Sequence, residues 1–145
     1  MAVLQLRLVV EATDYEAALR FYRDVLGLPE QAAFTGEGGA KVAILEAGRA
    51  TLEIANPRQV AMIDEVEVGR RVSPHLRVAF EVADATGVTQ RLVDAGAELI
   101  APPTETPWRS LNSRLAAPAG LQLTLFEELE PLDQRSQRPG FGTSR

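Results

Sequence analysis

The chain has 145 residues, 46% of them hydrophobic and 24% charged, with 15 basic against 20 acidic side chains and a net charge of −5. That length suits one compact domain, or two half-size modules too small to bury good cores separately. The acidic balance argues against nucleic-acid partners, no apolar run nears the roughly 20 residues needed to cross a bilayer, and the absence of cysteine excludes disulfides, thiolate metal sites and cysteine nucleophiles.

The opening stretch MAVLQLRLVVEATD lacks a basic flank and a long apolar core, so it reads as a first strand and not as a signal peptide. A cytoplasmic location is the resulting expectation. Over residues 6–12, alternation places Leu8, Val10 and Ala12 on a dry face and Arg7, Val9 and Glu11 on a mixed one. Thr13 or Asp14 can cap the helix that follows, whose stripe of Ala18, Leu19, Tyr22 and Leu26 suits the dry side of a sheet until Gly27 stops it. Residues 31–36 and 40–46 read as strands around GEGG, which has neither phosphate-loop spacing nor a helix after it and is therefore a turn. A further strand is expected over 50–55.

Residues 56–74 read as a connector whose acidic patch, followed by Arg70 and Arg71, suits a solvated surface. The order then repeats, with a strand over 76–83, a helix over 84–95, Gly96, a short strand near 97–101, and a hairpin from 110–117 and 121–127 turned by Pro118, Ala119 and Gly120. Between the short strand and the hairpin, APPTETPWR reads as a long extended loop. From residue 130 onward the chain is polar and aperiodic and is expected to be a disordered tail. Arg7 matches Arg77, Glu11 matches Glu81 and Asp14 matches Asp84 at one offset, so the chain carries an internal duplication.

Two βαβββ modules in tandem, with FYRDVLGL ending the first helix and APAGLQLTLFE closing the chain's ordered part, resemble the vicinal oxygen chelate superfamily of glyoxalase I, bleomycin-resistance proteins and extradiol dioxygenases. The resemblance implies an α+β fold in which each module curls a mixed sheet with a helix on its outer face, the two forming a cup. It covers a single domain over residues 1–129, with module one at 4–55, the connector at 56–74, module two at 75–129, and the tail at 130–145. It also implies a divalent metal in the enzymes, held by His, Gln and Glu at the first and last strands of each module. Counting back from Asp14 and Asp84 puts Arg7 and Arg77 at two of those positions, and aligning the ends puts Glu53 and Thr124 at the others.

Arginine is all donors and stays protonated, so a pair of them disfavours a cation, and no metal or other cofactor is expected. A shift of two residues substitutes Gln5 and His75, which with Glu53 form the alternative, a site for one divalent ion. The inner face then carries Arg7, Glu11, Glu53, Arg77, Glu81, Gln122 and Thr124 as ligand-binding candidates. Either the arginines pair with Glu53, Glu11 or Glu81 as a staple, or one stays free to fork onto a ligand oxyanion. Trp108 either plugs the core or lines the pocket, and Asn112 and Arg114, two apart on one strand, extend its polar rim.

Three functions are open on this basis. The first is a metal-independent protein that binds a small organic molecule, of the bleomycin-resistance type. The second is a metal-dependent lyase, isomerase or dioxygenase acting on vicinal oxygens. The third is metal-free catalysis with Glu53 as general base and Arg7 or Arg77 stabilising an enolate. A homodimer is expected, with no nucleic-acid or membrane partner.

Overall fold

The computed structural model describes residues 4, 5, 7–135 and 137. They fall into two compact units, Met1–Ala55 with the turn Pro118–Gly120, and Asn56–Ala117 with Leu121–Arg145.

In the first unit, Asp14 accepts a hydrogen bond from the Ala17 amide and so starts α1, Tyr15–Leu19. The helix continues as a wider π-helical stretch, Arg20–Val25, and Gly27 leaves it at φ 91°. Among its described residues Ala18, Phe21 and Tyr22 are buried, with the two rings edge to face at 5.0 Å. Tyr22 also donates its hydroxyl to the Pro118 carbonyl at 2.8 Å, and burial raises that hydroxyl's pKa. Strands β1, Glu30–Thr35, and β2, Lys41–Leu45, pair antiparallel around the turn in the expected place.

The strands expected over 6–12 and 50–55 do not form among their described residues. Leu8, Val9, Leu52 and Ile54 are instead exposed. The two corrections have one cause. A strand exists only as a member of a ladder, and in the second unit the equivalents of these segments hold each other as a parallel pair.

The second unit is more complete. Asn56 caps α2, Pro57–Glu67, by accepting from the Gln59 amide, and Pro57 stands at the first helical position, where its missing N–H costs nothing. The connector is therefore a helix, and two of its acids, Asp64 and Glu67, are buried where a solvated surface was expected. Next come β3, Val78–Glu81, and α3, Ala85–Asp94, with Asp84 capping the Gly87 amide. Strands β4, Glu98–Glu105, β5, Ser110–Ala117, and β6, Leu121–Glu128, complete an open sheet in the order β3-β6-β5-β4, with β3 parallel to β6 and the other pairs antiparallel.

Here the βαβββ order is fully realised in a mixed, curled and unclosed α+β sheet. Leu92, Leu115, Leu123 and Leu125 have no exposure and make its apolar core under α3. The long loop is corrected too. Pro102 and Pro103 lie inside β4, which as an edge strand with register shifts beside both prolines can spare their missing donors. Part of the expected tail is α4, Leu132–Arg135, which starts directly after Pro131. Residues 136 and 138–145 lie outside the described residues. No helix among the described residues is long and apolar enough to cross a membrane.

The Asp84 cap organises α3, the helix packed on the apolar face. Asp84→Ala should lower stability by about 1 kcal/mol, read as a lower urea midpoint with an unchanged slope.

Candidate functional site

Strand alternation sends Leu115, Leu123 and Leu125 to one face of the second sheet and Asn112, Arg114, Gln122 and Thr124 to the other. Arg114 and Thr124 are paired across β5 and β6, and Thr124 is paired with Ala79 on β3. Arg77, at the threshold of β3, donates to the Thr124 hydroxyl. Five of the residues expected to bind a ligand, Arg77, Asn112, Arg114, Gln122 and Thr124, thus share one polar face.

Arg114 is at the centre and has no solvent exposure. Its Nη1 donates to Asp64 Oδ1 at 3.0 Å, to Ser73 Oγ at 3.0 Å and to Gln122 Oε1 at 2.9 Å, while Nη2 donates to Glu67 Oε1 at 2.8 Å. Glu67 turns its other oxygen to the Asn112 amide at 2.7 Å. Gln122 in turn donates to the Val72 carbonyl at 3.0 Å. Asp64 completes the cluster by accepting from the Ser73 hydroxyl at 2.6 Å and from the Val72 and Ser73 amides at 3.1 and 3.0 Å.

The electrostatics follow from those bonds. Burial alone opposes a charged Asp64, but the bonds from Ser73, Val72 and Arg114 outweigh it and bring its pKa down from 3.8 to about 2. A buried cation with two buried anions on one side is tolerable only because nearly every lone pair and proton is used. Arg71, more exposed, adds a second positive charge 3.9 Å from Asp64.

Of the other candidates Glu81 shares the parity of Arg77 and stands at the far end of the same face, and the rest are placed elsewhere. Gln5, Arg7, Glu11 and Glu53 are exposed residues of the first unit, outside any strand. His75 is exposed in the bend before β3, and Glu81 is exposed on β3 beside the shallow depression it forms with Glu127 and Glu128. Trp108 is partly exposed in the short turn between β4 and β5, which Thr106 closes through its bonds to Ser110. Among the described residues no three His, Asp or Glu side chains gather in an arrangement that could hold a metal ion.

Sequence reasoning missed Asp64, Glu67 and Ser73. One signal was present: on a helix Asp64 and Glu67 stand three apart and so point the same way. Reading 56–74 as a connector with a solvated acidic patch concealed it.

The family model described as the Glyoxalase/Bleomycin resistance protein/Dioxygenase superfamily matches residues 5–125 of the chain. No curated protein matches it. Among solved structures, TnmS3, an antibiotic-binding protein from a Streptomyces species, is similar with a TM-score of 0.57 and 21% identity, over 88% of this chain and 98% of that one. A glyoxalase-related enzyme from Fulvimarina pelagi gives 0.53 and 22% identity, over 87% of this chain and 89% of that one. A superfamily member from Sphaerobacter thermophilus gives 0.50 and 19%, over 88% and 98%. At these identities the likeness concerns the fold alone.

The ion cluster makes an acid-sensitivity prediction. Asp64 has the lower pKa in the folded chain, so its contribution is complete above about pH 4 and is lost as the pH falls from 3.8 toward about 2. The loss should be on the order of 2 kcal/mol, and unfolding followed by circular dichroism should have a flatter slope over that range in Asp64→Asn. Arg114→Met, which strands two buried carboxylates, should cost about 3–5 kcal/mol at neutral pH.

Proposed function

Because the chain belongs to the glyoxalase/bleomycin resistance protein/dioxygenase superfamily, we propose that it binds a small organic molecule, and does so without the divalent metal on which the group's enzymes rely. The observation that carries this reading is the contact between Arg77 and Thr124. They stand at the first-strand and last-strand positions of the second module, where a metal would draw its ligands. A guanidinium has no lone pair to give and repels a cation, and its neighbour contributes only a hydroxyl that already accepts from it. These residues do not suit a divalent ion.

They suit an anion better. Arg77 is partly exposed on a face that also carries Thr124, and a guanidinium can fork onto a carboxylate or an enolate oxygen. That one neighbour of this fold binds an antibiotic makes the binding of an organic molecule one of the fold's uses. Elemental analysis of the full chain, purified without chelator, should find well under one divalent ion per chain. About one ion per chain, lost in His75→Ala, would instead support a metal-dependent lyase, isomerase or dioxygenase.

The exposed Leu8, Val9, Leu52 and Ile54 of the first unit favour a homodimer, since apolar segments of this kind, in no strand among the described residues, are ready partners for another chain. Light scattering after gel filtration should give twice the mass of the 15.7 kDa chain at micromolar concentration, and a monomer would exclude it.

A further inference from the structure

We propose that α2 is a displaceable internal ligand: Asp64 and Glu67 occupy a carboxylate-binding face made by Asn112, Arg114 and Gln122, and an organic dicarboxylate takes their place when the helix lifts. The inference rests on the reading that the chain binds a small organic molecule, and adds the ligand's class and the element that controls access to it.

Three observations lead there. The first is how α2 is held. A helix is ordinarily fastened to a sheet by a buried apolar stripe, but on α2 Val60, Ile63 and Val66 are only half-buried, Met62 is 42% exposed, and the two buried residues are both acids. Charge supplies the deepest anchors of this helix. When such a latch opens, the ions regain their hydration, which offsets much of the attraction they lose, so opening is far cheaper than deleting one partner from the closed state.

The second observation is unused bonding capacity. Arg114 Nε and Asn112 Oδ1 are buried, and neither has a partner among the described residues. The Nε and Nη2 edge of a guanidinium is a fork that matches a carboxylate. Glu67, tethered to its helix, reaches only Nη2 and sends its second oxygen to Asn112. An untethered carboxylate can take both donors of the fork. Its companion carboxylate then replaces Asp64 at Nη1, where Gln122 also bonds.

The third is that the sheet does not depend on α2 for its core. The fully buried leucines Leu92, Leu115, Leu123 and Leu125 belong to α3 or to the sheet face beneath it, opposite to the one that α2 covers. The helix can therefore leave without uncovering that core.

Hydrogen exchange on the full-length chain, with glutarate as the dicarboxylate probe, tests the proposal. Amides of α2 should exchange roughly a hundredfold faster than those of β5 and β6. Millimolar glutarate should speed α2 exchange further, because it binds only the open form. By calorimetry Glu67→Gln, which weakens the latch but keeps a hydrogen-bonding side chain, should bind glutarate roughly tenfold more tightly than the parent chain. Exchange of α2 in step with β5 and β6 would overturn the proposal, as would glutarate binding that is unchanged by Glu67→Gln. If that variant does not fold, the parent chain's exchange with and without glutarate decides. A tightly held metal would overturn the metal-free reading and leave this one standing, whereas a rigid α2 would do the reverse.

Discussion

A guanidinium out of reach of water needs anions beside it, and in the second unit that requirement fixes more than a contact. Arg114 on β5 draws Asp64 and Glu67 onto one face of the sheet. To deliver both, residues 57–67 must be helical, because only a helix puts side chains three apart on the same side with so short a reach. The stretch that follows must then turn tightly enough to bring Ser73 and the amides of Val72 and Ser73 onto the same Asp64 carboxylate. The position of the connector helix, the path of the next segment and the polarity of the sheet face all descend from one buried charge.

The sheet separates two jobs by strand alternation. Its apolar face packs under α3, and the Thr89 hydroxyl and Ser113 hydroxyl share a buried bond there at 2.7 Å. Its polar face carries the arginines. Within that face Arg77 donates to the Thr124 hydroxyl, and Arg114 donates to Asp64 and Glu67. Arg114 already holds anions, and they come from the chain itself.

The two halves of the duplication are unequal. Asp14 and Asp84 both cap a helix, and Gly27 and Gly96 both leave one at positive φ, 91° and 108°. Those features are local and survive in both copies. The parallel pairing of first and last strands is not local, and among the described residues only the second copy has it, as β3 with β6. Its last strand is also gripped by β5 through eight paired positions of a tight hairpin, whereas 50–55 has no comparable partner among the described residues of the first unit.

What the sequence by itself determined is whatever depends on neighbours along the chain. The caps, the glycine stops, the hairpins at 30–45 and 110–128, the shared parity of Gln122 with Thr124 and of Asn112 with Arg114, and the superfamily all follow from short-range pattern and its repetition. The tertiary structure alone decided what each polar side chain meets. An acidic run reads as solvated because isolated charges prefer water, and that preference is reversed only by a partner 50 residues away in sequence, as when Asp64 meets Arg114. Likewise a Pro-Pro pair reads as loop until an edge position in a sheet makes its missing donors harmless. Spacing along the chain carries conformational preference, but the balance between hydration and pairing of a charge is set by atoms that only folding brings within reach.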